Sequence, residues 1–407
     1  MVARTDVPFG AMPPGSAGPA IPLARWADRQ LRLLAAETGS ERIAALDGAT
    51  LLGERGAAAG YVINGRISAG LGGSRLLQTR DGGWFALTII RQVDRELLPA
   101  LFLDETIDIQ DQAAIAAAVA RFDCAELLER GRLLGLPVAS ADETPASPAV
   151  EIMTRGPERR RGANHRPLVI DLSAIWAGPL AGHLLWLAGA DVVKVESLTR
   201  PDQIRTDDPA TFDLINQGKA SAVFDFASDR EKAALIEWIR RADFVVESSR
   251  PRALRHLGID ADALVRETPG LVWLSVTGHG ATGEAANWTG IGNDCGVAAG
   301  LSRALADATG EIGYVGDAIT DPLTGISAAL AGWRAYANGE ARRLGFAMSA
   351  IGAQALREER EHDPAALDAE LRGWGAALGQ RFAPVPRRPM YEDVRAFGSD
   401  TARYLPC

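Results

Sequence analysis

VIDLSAIWAGPLAGHLLWLAGADVVKVES (Val169–Ser197) reads as strand, turn, helix and second strand. LVIDLS (Leu168–Ser173) is a short apolar, β-branched run of the kind that is buried on both faces of a parallel sheet. Gly178–Leu187 follows as a helix with Pro179 in its first turn, where the missing N–H costs nothing. DVVKVES (Asp191–Ser197) returns to strand character. The pattern continues outward. SAVFDF (Ser221–Phe226), DFVVES (Asp243–Ser248) and LVWLSVTG (Leu271–Gly278) are further strands. SDREKAALIEWIRRA (Ser228–Ala242) is a helix with Ser228 or Asp229 at its cap. Asp321–Tyr336 is helical again. Strands spaced by helices predict an α/β fold, a doubly wound, Rossmann-like parallel sheet, over residues 167–350.

The flanks read differently. Residues 1–20 are rich in Pro, Gly and Ala without an apolar signal core, and read as a flexible arm. Residues 21–138 form a smaller α+β domain in this reading. Helical patterns run at Leu23–Thr38, Ser40–Leu51, Gln110–Phe122 and Cys124–Leu134, and a turn plus strand at DGGWFALTII (Asp81–Ile90). Residues 139–166 carry Pro145, Pro148, Pro157 and the cluster Arg159, Arg160, Arg161, and read as a linker. Residues 351–407 are expected to be a helical tail, with a helix at Pro364–Gly379.

Several function classes are disfavoured by composition. The 407 residues are 47% hydrophobic and 23% charged, with a formal net charge of -9. That balance suits a globular enzyme and lacks the basic footprint of a nucleic-acid binder. The longest apolar stretch, near Leu180–Ala190, is too short to span a bilayer. Cys124, Cys295 and Cys407 form no CxxC pair, which points to reduced thiols in a cytoplasmic protein. His165, His183, His256, His279 and His362 stand at no metal-ligand spacing, so no metal is expected. P-loop, HExxH and GxSxG motifs are absent, and the turn after the first strand, SAIWAGP, is not a dinucleotide fingerprint.

Six blocks in order resemble the large domain of the CaiB/BaiF (family III) CoA-transferases. They are Val169–Ser197 itself, PDQIR (Pro201–Arg205), NQGKASAVFD (Asn216–Asp225), ADFVVESSRPRALRHLGI (Ala242–Ile259), LVWLSVTGHGATGE (Leu271–Glu284) and GDAITDPLTGISAA (Gly316–Ala329). SRLLQTRDGGWFALTII resembles the family's smaller domain, yet here it precedes the large one. FGSDTARYL (Phe397–Leu405) resembles the family's C-terminal end.

The resemblance implies a nucleophilic carboxylate at Asp321, four residues before Gly325, with Asp317 as the rival. Either aspartate also suits a plain helix cap. It implies acyl-CoA and a carboxylic acid as substrates, and a homodimer. Trp176, Ala177, Arg205, Lys219, Ser248, Ser249, Arg250 and His256 would lie on the CoA side. Amides in the Trp176–Pro179 turn or near Gly325 would face the oxyanion. Asn293, Asp294, Gly72 and Gly73 would lie on the substrate side. Ser248–Ser249 replaces the family's usual Asn-Phe, and His256 its Arg. Asn293 stands where the racemase branch has a basic His, and an amide cannot take a proton from carbon. CoA transfer is therefore the preferred expectation, with a racemase or a non-catalytic CoA-binding homologue as alternatives.

Overall fold

The computed structural model describes residues 18–405 apart from 71, 72, 163 and 250. Arm residues 1–17, Gly72, Arg250 and Cys407 lie outside the described residues. Ten strands occur among the described residues: β1 (Ser74–Gln78), β2 (Trp84–Thr88), β3 (Val138–Ser140), β4 (Val150–Gly156), β5 (Leu168–Asp171), β6 (Asp191–Ser197), β7 (Ala220–Phe224), β8 (Phe244–Glu247), β9 (Val272–Thr277) and β10 (Ala341–Ala347). They form a three-stranded sheet, β1-β2-β3, and a seven-stranded sheet ordered β4-β10-β9-β8-β5-β6-β7.

The large sheet is parallel from β10 to β7, with β4 antiparallel at the edge. Its order runs outward from β5 in both directions, which is the doubly wound topology. The switch point lies between β5 and β8, where open α/β sheets leave a crevice beyond the strand C-termini.

Alternating side chains divide between two cores, as the pleat requires. Val169, Val192, Val246 and Leu274 face the helices Ala177–Leu187 and Thr320–Ala337. Ile170, Val193, Val245 and Trp273 face the helices Asp229–Ile239 and Ala261–Glu267. Ser228 caps the first of these, its Oγ accepting from the Glu231 N–H at 3.3 Å. Thr320–Ala337 crosses Ala177–Leu187 closely because Gly325 has no side chain. A β-carbon there would stand 2.8 Å from the Ala177 carbonyl.

Three segments differ from the sequence reading. The stretch read as a linker contributes β4, whose pairing with β10 is interrupted by a bulge between Arg343 and Leu344. The helices Ala24–Thr38 and Gly48–Ala59 join the large core through Trp26, Leu31, Leu34, Leu51 and Leu52, rather than the small sheet. The small sheet has its own core of Phe85, Leu87, Phe102, Val119 and Leu127. Among its described residues the C-terminal segment is helical only at Met348–His362, Pro364–Ala376 and Thr401–Tyr404. Between the last two, an irregular stretch runs back to the β7 edge, where Asp400 accepts from the Ser221 N–H.

Candidate active site

Asp321 sits in the first turn of the Thr320–Ala337 helix, where the helix dipole favours an anion. It is only 8% exposed. Two neighbours shape its surroundings. The Ala177 N–H, at the start of the facing helix, donates to its carboxylate. Gly292 backs the other side, and a β-carbon on Gly292 would fall 2.1 Å from Oδ2.

Burial, the largest influence, pushes the Asp321 carboxyl up to about 7. Arg55 and the Ala177 N–H pull the other way, while Asp317 and Asp294 add to the rise. Asp317 precedes it by one helical turn and is 1% exposed. Its Oδ2 pairs with Arg55 Nη1 at 3.1 Å, while Oδ1 is buried without a partner. Arg55 also holds Asp208 at 3.0 Å, and its guanidinium lies over the rings of Trp176, at 5.2 Å, and Tyr61, at 5.7 Å. Gly70 brings its α-carbon face toward Asp317, where a β-carbon would stand 3.4 Å from Oδ1.

Backbone strain gathers at the two loops of this site. Among the described residues, four non-glycine residues have positive φ, and two of them are Ile175 (70°) and Ala318 (47°). Such conformations persist where neighbouring contacts hold them. The Ala318 N–H donates to Asn293 Oδ1 at 3.0 Å, and the Thr320 hydroxyl donates to the Gly292 carbonyl at 2.8 Å. The Ile175 N–H donates to Asp202 at 3.2 Å. Lys194 in turn donates to Asp202 at 2.8 Å and to the Ser173 carbonyl at 2.7 Å, so a buried ion pair grips the turn from below.

Several expected CoA-side residues are placed otherwise. Lys219 is 1% exposed and spends its ammonium on Asp171 (2.8 Å), the Pro179 carbonyl (2.7 Å) and Asn216 (3.0 Å). Burial, only partly countered by Asp171, lowers Lys219 to about 8. Lys219 supports the Ala177–Leu187 helix from within and has no donor left for a phosphate. Arg205 pairs with Glu196 and lies over the Phe212 ring at 4.3 Å. Lys219 is a buried cation and needs a local carboxylate, which Asp171 supplies; Arg205 is part-exposed and has Glu196 as its partner.

Ser248 is exposed, and its Oγ accepts from the Ala174 N–H at 3.1 Å. Ser249 lines a cavity of about 140 Å³ beside the switch point, together with Leu172, Ala174, Arg200, Leu254 and Leu257. His256 ends the Pro251–His256 helix with its side chain exposed. The Ser173–Ala177 turn therefore runs from this cavity to Asp321. Asp294 is wholly buried, and Gly73 lies against Ile89 and Ile90 rather than beside Asp321 or Asp317. Gly325 is spent on the helix crossing, which leaves the Ala177 end of the turn facing the carboxylate.

Arg55, Tyr61 and Asp208 were not legible as site residues. Arg55 comes from a Gly- and Ala-rich helix and meets Asp317 across 262 positions of chain. No local motif marks such a pairing.

Residues 167–350 match the family described as CoA-transferase family III. The match covers somewhat less than half of the chain, so this segment is similar to that family. The chain is 32% identical over 171 residues to the succinate–glutarate CoA-transferase of Agrobacterium fabrum, covering 39% of this chain and 43% of that protein. It is 31% identical over 138 residues to the acetyl-CoA:oxalate CoA-transferase of Acetobacter aceti, covering 32% and 36%. The chain thus spans less than half the length of these curated relatives. A Mycobacterium tuberculosis protein, Rv3272, superposes with a TM-score of 0.44 at 26% identity, over 52% of this chain and 61% of that one. A CAIB/BAIF family protein from Brucella suis gives a TM-score of 0.40 at 25% identity, over 49% and 57%. No helix among the described residues is long and apolar enough to cross a membrane.

Proposed function

We propose that the protein is a CoA-transferase that moves coenzyme A from an acyl-CoA to a carboxylic acid, with Asp321 as nucleophile. The observation that carries this reading is a buried carboxylate at a helix start, at about 7 and without a paired cation of its own. It lies at the far end of a turn that begins at a cavity of mixed apolar and polar lining by the switch point. A carboxylate raised in this way is more nucleophilic than an ordinary one and is still substantially ionised at neutral pH.

The steps balance without a net proton. An Asp321 oxygen attacks the thioester carbonyl, the C–S bond breaks, and CoA thiolate leaves behind a mixed anhydride. The thiolate attacks the aspartyl carbonyl, and the first acid departs as its carboxylate. The second acid attacks the resulting aspartyl-CoA thioester and expels thiolate again. That thiolate takes the new acyl group and restores Asp321.

In this reading the Ala177 N–H, or its neighbours in the strained turn, would stabilise the oxyanion. The cavity at Leu172, Ser249 and Leu254 would receive the adenine end, with Arg200 and His256 nearest its phosphates. Asp317 is the lesser candidate because its carboxylate already serves Arg55. Racemisation is disfavoured because Asn293 is an amide occupied with the Ala318 N–H. A homodimer and a cytoplasmic setting belong to the same proposal.

The test is an exchange screen. Labelled succinate, glutarate and oxalate, named in the relatives' activities, would be offered with acetyl-, succinyl- and longer acyl-CoA donors. Exchange present in the wild type, kept in part by Asp317→Ala and absent in Asp321→Ala, is expected. Undiminished exchange in Asp321→Ala would overturn the reading.

A further inference from the structure

Near Asp321 lies a second cluster that the proposed reaction does not use. His279 follows β9 in the turn at Gly278–Gly280, and Asp294 and Cys295 begin the Asn293–Ala298 helix. All three are buried, with exposures of 3%, 0% and 0%. The His279 Nε2 makes no hydrogen bond, although it stands 3.5 Å from Asp294 Oδ2. Cys295 Sγ is 3.9 Å from the same oxygen and 3.5 Å from the Gly278 carbonyl.

The carboxylate is oriented by its other oxygen. Asp294 Oδ1 accepts from the Ile291 N–H at 2.9 Å and from the Thr88 hydroxyl at 3.4 Å. Oδ2 is thereby presented to the imidazole and the thiol. Gly290 makes room for the convergence. A β-carbon there would stand 2.7 Å from Sγ and 3.1 Å from Nε2. An unbonded imidazole nitrogen in a dry interior is costly unless something satisfies it.

We propose that His279, Asp294 and Cys295 bind a zinc-class divalent cation. The nitrogen, oxygen and sulfur donors all lie within 4.8 Å of one another. Tetrahedral zinc, with bonds of about 2.0 Å to N and O and about 2.3 Å to S, sets its ligand atoms about 3.3–3.6 Å apart. The Nε2–Oδ2 and Sγ–Oδ2 spacings of 3.5 and 3.9 Å need little contraction, and Nε2 and Sγ lie within 4.8 Å of each other. Binding releases the thiol proton to solvent as the sulfur–metal bond forms. The imidazole is braced from behind, since Trp288 meets its ring edge-on at 6.0 Å and Arg132 covers Trp288 at 3.7 Å. Arg132 in turn pairs with Glu143 at 2.5 Å.

Three protein ligands leave the fourth tetrahedral position to a water or a backbone oxygen, and the burial of the set points to a structural role. The ion would tie the turn after β9 to the loop carrying Gly292, which packs against Asp321. The spacing of residues 279, 294 and 295 hides this set in the sequence. Only the return of the chain to the end of β9 assembles it.

Titration of the reduced, chelator-treated full chain with Co²⁺ tests the inference, read by visible d–d bands and a thiolate-to-cobalt charge-transfer band. Zinc content after reconstitution gives the stoichiometry. One ion per chain is expected. Cys295→Ser should abolish the charge-transfer band, and His279→Gln should weaken binding about tenfold or more. Cys124→Ser should leave the spectrum unchanged. Binding of less than about a tenth of an equivalent, or a wild-type cobalt complex without the charge-transfer band, overturns the proposal even if the variants fail to fold. So does full binding in folded Cys295→Ser and His279→Gln. The readout is spectroscopic, so failure of the transferase reading would leave it untouched.

Discussion

Asp171 and Asp321 are buried aspartates on either side of the Ser173–Ala177 turn, and they sit in opposite electrostatic states. Asp171 has the Lys219 ammonium at 2.8 Å and the Ser173 hydroxyl as partners. Burial pushes its carboxyl up, but Lys219 and Lys194 more than offset this and hold it below the usual range. Asp321 has only a backbone N–H and the more distant Arg55, so burial wins and the group stands near 7. The same side chain in the same dry core is therefore held low where cations are adjacent and raised where none is. For this pair, partner supply and not depth sets the direction.

The comparison breaks most visibly in activity. Asp321→Ala should lower acyl exchange by about 10³-fold or more, since loss of a covalent nucleophile removes the whole pathway. Steady-state exchange of labelled acid measures this. On the other side of the turn the expected effect is on stability. Lys219→Met leaves Asp171 short of a partner and should cost about 3–5 kcal/mol in urea unfolding. Loss of activity in that variant should follow loss of fold.

Asp321→Asn should act on stability in the opposite direction, and only at higher pH. In the folded chain Asp321 keeps its proton up to about 7, whereas in the unfolded chain it loses it near the ordinary carboxylate value of 3.8. The folded state therefore holds more protons between these values, and the wild type loses stability as pH rises through that window. Asn does not ionise. The variant should match the wild type near pH 4 and exceed it by about 2–4 kcal/mol at pH 8.

The smallest expected effect is at Arg55. Removing its charge in Arg55→Met takes away a term that favours ionised Asp321, so the alkaline rise of kcat/KM should move upward by about one pH unit. At pH 7 that is about a fivefold loss, recovered at higher pH. Arg55→Lys should shift less. A profile that does not move would place Arg55 outside the electrostatics of the site.

The alternating strands and helices from Leu168 to Gly278 were legible because parallel strands buried on both faces are continuous apolar runs. DVVKVES and CAELLERGRLL carry their limits in their own composition, and Asp191–Ser197 and Cys124–Leu134 form as read. Asp321 was legible as a candidate because the turn, the aspartate and Gly325 lie within one short motif. The rest depends on distance. β4 looks like a linker until β10 pairs with it, and β10, with its two arginines, falls outside the strands read from the sequence. Lys219 and Arg205 read as phosphate ligands because sequence shows a cation and not the carboxylate folded beside it. Arg55 carried no signal, as its partners lie far along the chain. His279, Asp294 and Cys295 come together for the same reason.

The most direct measurement is capture of the covalent intermediate. The full chain would be incubated with an acyl-CoA that supports exchange, quenched with hydroxylamine or borohydride, digested and read by mass spectrometry. The account predicts modification on the peptide bearing Asp321, at Asp321 itself, dependent on acyl-CoA and absent in Asp321→Asn. An active enzyme whose Asp321 stays unmodified, or whose label falls on Asp317, would contradict it.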